Sequence, residues 1–244
     1  MHGNLIDLFE TLKEIGANQF GSFISSCQYL KAYNLTEKYF YPGSKILDWG
    51  TGNGHFSVFL ASNGFDTTAF AIERESLSYA YLLRNFQESY SFCCDPSATT
   101  KIPFSNNTFE GVVSIGVLEH VREYGGSEID SLSEIKRILA PGGYFLCYHF
   151  PNKFSWIEFL SQYIPGKNHH LYRYTGEDIL RLSSEVDMDV IEISRYGLMP
   201  RLMFRDVPDT EFLAGIFNFL DAILEKFLSI FCQNYCFVLR KPVK

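Results

Sequence analysis

The stretch that decides the fold is residues 45–54, Lys45-Ile-Leu-Asp-Trp-Gly-Thr-Gly-Asn-Gly54. Its first five residues are mostly apolar and predict a β-strand that ends in a glycine-rich turn. Residues 55–63 then carry apolar side chains at helical spacing, and Gly64 follows them, as is typical of a helix C-terminus. Three alternating glycines between a strand and a helix predict a backbone that turns sharply and approaches a ligand closely, beside the free N–H groups of the helix.

The spacing of these glycines separates two kinds of ligand. A dinucleotide-binding loop has the pattern G-x-G-x-x-G and directs its helix N-terminus at a pyrophosphate. Here the pattern is G-x-G-x-G, and Asp48 precedes it at the end of the strand. Because a carboxylate there repels a pyrophosphate, the loop favours a cationic or zwitterionic ligand and argues against a nicotinamide-dependent oxidoreductase.

The chain from Lys45 onward alternates short apolar runs with helical patterns. This alternation predicts an α/β fold with a doubly wound, mainly parallel sheet and helices on both faces. The predicted strands are 45–49, 67–73, 90–95, 110–117, 144–150, about 189–194 and 235–240. The predicted helices are 55–63, 76–87, one that begins after Ser127 and is broken by Pro141-Gly-Gly, one that begins after Thr175, and about 209–231.

Two segments lie outside this alternation, an aromatic helical segment in the first 40 residues and a long apolar connection at 195–234. We expect a single domain over 1–244, with a helical cap at 1–44 and a cofactor-binding core at 45–152. The remaining region, 153–244, would lie on the side where the second substrate, the acceptor, binds, and it contains a helical insertion at about 196–233. The wide apolar stripe of helix 209–231 indicates a cap over an apolar acceptor or a homodimer contact. Peripheral membrane contact is possible but less favoured, because the polar face of that helix is mainly acidic.

Composition excludes several classes of protein. The chain has 244 residues, 46% of them hydrophobic, so it is long enough and apolar enough to bury a full core. Its net charge of -7 argues against a nucleic-acid-binding surface. The N-terminus does not resemble a signal peptide, and no run of 18 apolar residues is free of charges. Six cysteines without C-x-x-C spacing predict reduced, buried thiols in a cytoplasmic protein without zinc, and the sequence offers no convincing divalent-metal site.

Four motifs occur in an order that is specific to one family. The pattern D-x-G-x-G-x-G at Asp48–Gly54 resembles the first motif of the class I S-adenosylmethionine-dependent methyltransferases. Residues 101–109 (KIPFSNNTF), 117–121 (VLEHV) and 135–143 (IKRILAPGG) are similar to three further motifs of that family, in the same order. The resemblance covers about 45–152. It implies a Rossmann-like sheet of seven strands with the last antiparallel, and it implies S-adenosylmethionine as cofactor and S-adenosylhomocysteine as product.

The resemblance also implies roles for individual residues. The methionine end of the cofactor would be lined by Gly50, Thr51, Gly52, Asn53 and Gly54, contacted by Asp48, and closed by backbone near Ile115 and Gly116. Asp95 would receive the adenine amine, although an acid before Pro96 is equally typical of a strand-end turn. The family places an acid for the ribose where this chain has Ala71. Glu73 lies two residues on, on the same side of a strand, and a slightly longer strand would give it that role.

Methyl transfer from a sulfonium needs alignment more than acid–base chemistry, but a hydroxyl acceptor benefits from a base. Histidines near the carboxyl edge of the sheet are the candidates, because open α/β sheets bind ligands there. They are His149 on the fifth strand and His169 and His170 in the following loop. Each has an alternative interpretation, as a packed strand residue for His149 and as a solvated loop residue for the other two. We expect His120, in the VLEHV motif, to pack structurally.

The sequence therefore predicts transfer of a methyl group from S-adenosylmethionine to a small-molecule or lipid- or sugar-like acceptor, most simply at oxygen. Two alternatives stay open. One is a catalytically idle methyltransferase-like protein that binds partners through its apolar helix, which Ala71 favours. The other is a nicotinamide-dependent oxidoreductase, which the glycine spacing disfavours.

Overall fold

The computed structural model describes residues 8–10, 12–13, 18–73, 88–98, 101–164 and 169–243. The strands are β1 Lys45–Trp49, β2 Asp66–Ala71, β3 Tyr90–Cys94, β4 Phe109–Ile115, β5 Leu139–Pro151, β6 Asp189–Tyr196 and β7 Asn234–Arg240. The α-helices are α1 Phe23–Ser26, α2 Leu30–Tyr39, α3 His55–Ser62, α4 Glu128–Ile138, α5 Trp156–Ser161, α6 Gly176–Glu185 and α7 Glu211–Leu228. Short 3₁₀ segments lie at Asn18–Phe20, Cys27–Tyr29, Leu118–Tyr124, Arg201–Phe204 and Ser229–Phe231.

The seven strands of the described residues form one sheet in the order β3-β2-β1-β4-β5-β7-β6. All neighbouring pairs are parallel except those of β7, which runs antiparallel to both β5 and β6. The winding reverses between β1 and β4, and such a reversal opens a crevice at the carboxyl ends of the strands. The predicted doubly wound, mainly parallel α/β fold with a helical insertion before the last strand is therefore confirmed.

Each face of the sheet is covered by its own apolar cluster. On one face the N-terminal segment and α3 pack on the strands, and this cluster includes Phe20, Phe40 and Phe59. On the other face α4 and α6 pack through Leu132, Ile135 and Leu182. Ser127 and Thr175 accept hydrogen bonds from the backbone N–H groups three residues on, so both predicted caps begin their helices.

Several predicted boundaries were wrong. β2 ends at Ala71 rather than Glu73, β3 ends at Cys94, and β4 ends at Ile115. β5 begins at Leu139 rather than Tyr144, because Leu139 pairs with Phe109 across an irregularity and Gly142 and Gly143 bond to Lys241. Pro141 and its glycines thus end the helix, as predicted, but they already belong to the strand. The predicted helix 76–87 lies outside the described residues.

The insertion before β7 contains α7, which packs on α1 through Ile24, Ala214 and Phe217. In addition, the two N–H groups of Phe23 and Ile24 donate to the carboxylate of Asp209, at 2.9 and 2.7 Å. The insertion is therefore fastened to the N-terminal segment. Within the described part of the chain, no helix has the length and apolar character that crossing a membrane requires.

Candidate active site

The glycine loop after β1 has a backbone that only glycine adopts easily. Gly50, Gly52 and Gly54 have φ values of 72°, 52° and 76°. The N–H groups of Gly50 and Thr51 both donate to the carbonyl of Phe70 on β2, at 2.8 and 3.0 Å, which fixes the turn. A Cβ atom at Gly50 would lie 2.5 Å from Val117 Cγ2. The loop therefore approaches the start of the VLEHV segment so closely that no side chain fits there.

Asp48 lies beneath this loop and is almost fully buried. Ser57 Oγ donates to its Oδ2 at 2.6 Å, and Ser57 is in turn 2.9 Å from Thr51 Oγ1. Burial raises the pKa of Asp48 to about 6, although the hydrogen bonds from Ser57 and Thr51 act in the opposite direction. Among the described residues no cation pairs with this carboxylate. The site therefore suits a ligand that brings its own positive charge.

A cavity of about 470 Å³ opens above the loop at the switch point of the sheet. Of the predicted site residues, its lining includes Asp48, Gly50, Thr51, Gly52, Asn53, Ile115, Gly116, His149 and His170. The remaining lining residues are Gln19, Gln28, Tyr29, His55, Phe56, Glu119, His120, Leu202, Gln233 and Asn234. Most of the predicted site residues thus line one cavity. The cavity is also lined by residues that we did not predict as part of the site.

Four predicted residues do not line this cavity. Gly54 caps α3 beneath the loop, and His169 is exposed, so the structure separates it from His170. Glu73 lies two residues beyond the end of β2 and is exposed, so its predicted place within a longer strand was wrong. Asp95 Oδ1 accepts from the N–H and Oγ of Ser97, at 3.0 and 2.6 Å, as in the turn that we considered as its alternative role. These hydrogen bonds lower the pKa of Asp95.

His149 occupies a β-bulge. Cys147 pairs with Phe237 and Phe150 pairs with Tyr235, so two residues of β5 lie opposite one residue of β7. The φ of His149 is 67°, which is a strained value for a residue other than glycine and is typical of functional positions. The bulge turns this side chain out of the alternation of the strand and into the cavity.

The hydrogen bonds of His149 show which of its ring nitrogens is free. Tyr196 Oη accepts from the His149 backbone N–H at 2.9 Å and lies 2.9 Å from Nδ1. Because Tyr196 already accepts from the backbone, its own proton is available to Nδ1, which leaves the hydrogen on Nε2. Burial lowers the pKa of His149 to about 3, and His55 and His170 add to this effect. Such a ring donates a hydrogen bond to a ligand better than it accepts a proton.

The N-terminal segment forms one wall of the cavity. Asn53 Nδ2 donates to Gln19 Oε1 at 3.1 Å, which ties the segment to the glycine loop. Tyr29 packs against two histidine rings, with centroid distances of 4.4 Å to His55 and 5.6 Å to His149. His55 is buried, and burial lowers its pKa to about 3, so it is neutral. The wall is therefore aromatic and uncharged.

The opposite wall carries Glu119, His120 and His170. Glu119 is 2% exposed, and its Oε2 has no hydrogen-bond partner among the described residues. Burial raises the pKa of Glu119 to about 8, and the charge of Glu123 adds to the rise. The rings of His120 and His170 lie side by side, with centroids 5.5 Å apart. Our expectation that His120 packs structurally was therefore wrong, since it faces the cavity; the VLEHV motif was the signal for both Glu119 and His120.

Comparisons with known proteins agree with this geometry. Residues 47–147 match the family model described as a methyltransferase domain. Three similar solved structures have the same TM-score of 0.59 and cover 88% of this chain. They are the [4+2]-cyclase SpnF (16% identity, 81% of that chain), the Burkholderia thailandensis 1,6-didemethyltoxoflavin-N1-methyltransferase with S-adenosylhomocysteine (17%, 78%) and the Haemonchus contortus phosphoethanolamine N-methyltransferase 2 with S-adenosyl-L-methionine (18%, 53%).

At such identities the likeness to solved structures shows the fold alone. No curated protein sequence matches the chain. The family match over residues 47–147 and the shared fold together support a class I S-adenosylmethionine-dependent methyltransferase.

Proposed function

We propose that the chain transfers the methyl group of S-adenosylmethionine to a hydroxyl oxygen of a small, largely apolar or lipid-like acceptor. The observation that carries this proposal is the wall of Glu119, His120 and His170, which shares one cavity with the glycine loop. In the reaction the acceptor hydroxyl passes its proton to a basic group of this wall, the oxygen lone pair forms the new C–O bond, and the C–S bond breaks with its electrons passing to sulfur. A carboxylate or a neutral imidazole beside the acceptor oxygen can take that proton.

In this proposal three regions of the chain have different roles. Residues 45–152 bind the donor, with Asp48 at the ammonium group, Glu73 at the ribose and Asp95 at the adenine. The described residues of the N-terminal cap contact the glycine loop and its following helix, through Gln19 and Tyr29. Residues 153–244 serve the acceptor, through His170 and the segment around Leu202.

The surface around the cavity supports an apolar acceptor. Leu202 lines the cavity and is 55% exposed. Trp156 Nε1 donates to the carbonyl of Leu198 at 2.8 Å, which holds α5 beside the same segment. On α5 the side chains of Phe159 and Leu160 are exposed. An acceptor with an apolar body would have contacts for that body next to the reactive oxygen.

We infer that the outer face of α7 is a contact between two copies of the chain. The inner face of this helix is mixed. Ala214 and Phe217 are buried against α1, whereas Asp221 Oδ2 pairs with Arg201 at 2.7 Å and Glu225 Oε1 accepts from the N–H of Gly197 at 2.6 Å. The outer face is apolar, and Phe212, Phe219 and Phe227 are 75%, 65% and 81% exposed. An exposed apolar face of this kind marks an interface. Lys226 is the one basic residue of Glu211–Leu228, and so low a basic content favours a protein surface over a lipid one.

Donor binding is tested first, by calorimetric titration of S-adenosylhomocysteine and S-adenosylmethionine with NAD as the control ligand. We expect micromolar binding of the first two and none of NAD. Absence of binding would contradict the proposal and favour the idle, partner-binding alternative. That alternative has one specific observation behind it, since Ala71 ends β2 where the family has an acid and Glu73 is exposed.

The acceptor atom is tested with matched acceptors, a set of alkyl-substituted phenols and the anilines of the same shape. We expect formation of S-adenosylhomocysteine with the phenols, faster as the alkyl chain lengthens. His170→Ala should lower turnover about 100-fold, which is the usual contribution of acid–base assistance. Methylation of the anilines alone would move the activity to nitrogen, the atom named for two of the similar proteins, both N-methyltransferases.

A further inference from the structure

The cavity wall opposite the glycine loop has the composition of a metal site. One ligand atom from each of Glu119, His120 and His170 lies within 4.8 Å of the other two. Two imidazoles and one carboxylate form a common ligand set for first-row divalent transition ions in open, catalytic sites. Bonds of about 2.1 Å would bring the ligand atoms to about 3.4 Å of one another, so the three side chains need to close by about 1 Å.

Both histidines are oriented as metal-ligating histidines usually are. In such sites the ring nitrogen that does not bind the metal faces a carboxylate, which fixes the ring and leaves the other nitrogen free. His120 Nδ1 forms a hydrogen bond with Glu123 Oε1 at 2.9 Å, which leaves Nε2 of this ring for a ligand. His170 Nδ1 lies 3.2 Å from Glu158 Oε1, within ion-pair distance but without hydrogen-bond geometry.

Glu158 is itself held in place for this role. It is 3% exposed, and its Oε2 accepts from the backbone N–H of His170 at 3.1 Å. Gln233 Nε2 donates to its Oε1 at 3.2 Å, while Ser155 caps the helix that carries it. A buried carboxylate with two hydrogen bonds, on a capped helix, holds the backbone of His170 at the cavity, 51 residues away from Glu119 in the sequence.

The third ligand is the buried carboxylate that no other described group satisfies. Glu119 lines the cavity, is 2% exposed, and has an Oε2 atom without a hydrogen-bond partner in the described part of the chain. Leaving such an oxygen buried and unpaired is costly, and a cation is the partner that relieves it best. Glu119 also lies beside Gly116, whose added Cβ would be 3.7 Å from Glu119 Oε1.

We propose that Glu119, His120 and His170 bind one divalent transition-metal ion in the cavity. Three protein ligands leave open positions, and the ion there would bind the acceptor oxygen and lower the pKa of its hydroxyl. This role of the ion rests on the proposed methyl transfer, whereas the binding of the ion does not. The metal site could not be predicted from the sequence, because its ligands come from two distant segments.

The test is a titration of the chelator-treated full chain with Co²⁺, followed by visible d–d absorption and by calorimetry. We expect one ion per chain. Glu119→Gln and His170→Ala should each weaken binding by more than tenfold, and Glu158→Gln by about tenfold through the loss of ring orientation. His169→Ala is the matched control, because it removes an exposed imidazole next to His170, and it should bind Co²⁺ as the wild type does.

Co²⁺ binding that is absent from the wild type, or that is equal in wild type, Glu119→Gln and His170→Ala, would overturn the inference. Thermal unfolding of each variant shows whether the fold is retained, and Glu119→Gln preserves the shape of the side chain. Binding of S-adenosylhomocysteine to the same samples separates the two proposals. A chain that binds S-adenosylhomocysteine without Co²⁺ keeps the proposed function and loses the metal site, and the converse result does the opposite.

Discussion

The two sides of the cavity are built in different ways. On the side that we propose for the donor, the contacts join residues close in the sequence, such as Ser57 to Asp48 across nine positions, and the cavity is shaped mostly by backbone conformation. On the side that we propose for the acceptor, the contacts join distant segments, such as Tyr196 to His149 across 47 positions, and the cavity is shaped by side chains. Where backbone conformation shapes the cavity, few substitutions are compatible with its shape. Where side chains shape it, a substitution can change the chemistry of the cavity while the sheet keeps its structure.

The largest effect is expected from Gly50→Ala on the donor side. The new methyl group would lie 2.5 Å from Val117 Cγ2, at a φ of 72°. We expect a loss of S-adenosylhomocysteine affinity of more than about 100-fold, or about 2.7 kcal/mol, measured by calorimetry. Gly43→Ala is the control, because Gly43 has a φ of 92° with no atom within 4 Å of the added Cβ. Equal losses in both variants would contradict the role of the contact with Val117.

The pH dependence of donor binding should report on Asp48. Its pKa in the free protein is about 6, and a bound ammonium group favours the carboxylate, so binding releases a proton below that pH. Affinity for S-adenosylhomocysteine should therefore fall, by about tenfold from about pH 7.5 to about pH 5. Adenosine, which lacks the amino-acid part, should bind with a flat profile, and Asp48→Asn should flatten the profile of S-adenosylhomocysteine. A steep profile with adenosine would assign the titration to another group.

A smaller effect is expected at the ribose end, where Glu73→Ala should weaken S-adenosylhomocysteine binding by about tenfold through the loss of a charged hydrogen bond. Asp66→Ala serves as the control, since Asp66 is exposed at the opposite end of β2. If both variants bind like the wild type, Glu73 does not hold the ribose, and the donor site lacks this acid as the alignment with Ala71 first indicated.

The smallest effect on the donor side is expected from the outer face of α7. None of its residues lines the 470 Å³ cavity. Phe219→Ser with Phe227→Ser should convert a dimer to a monomer in sedimentation velocity, while S-adenosylhomocysteine affinity changes by less than about twofold. A wild type that is monomeric at every concentration, or one that floats with neutral liposomes, would contradict the proposed contact between copies.

The contrast between local contacts on one side of the cavity and contacts between distant segments on the other explains what could be predicted from the sequence. Asp48, Gly50 and Gly52 were predictable because a strand, a turn and a helix follow one another within ten residues. The predicted end of β2 at Glu73 failed because the apolar pattern continues past Ala71, whereas pairing with β3 stops there at Cys94. The position of Glu119 and His120 in the cavity lining was not predicted, because the apolar segment that contains them is equally typical of a core. The sequence does not distinguish His169 from its neighbour His170. In the structure His170 differs, because it contacts Glu158 and lines the cavity.

The bulge at His149 has a consequence for how such a protein diversifies. Because β5 has one residue more than β7 at this point, the backbone conformation directs the side chain of position 149 into the cavity, whichever residue occupies that position. Deleting that residue would restore a regular ladder and leave Phe150 opposite Tyr235, on the face that it shares with Cys147, but it would remove the side chain that the bulge turns into the cavity. Substitution keeps the bulge in place, so the chemistry of position 149 can change while the pairing of the sheet stays the same.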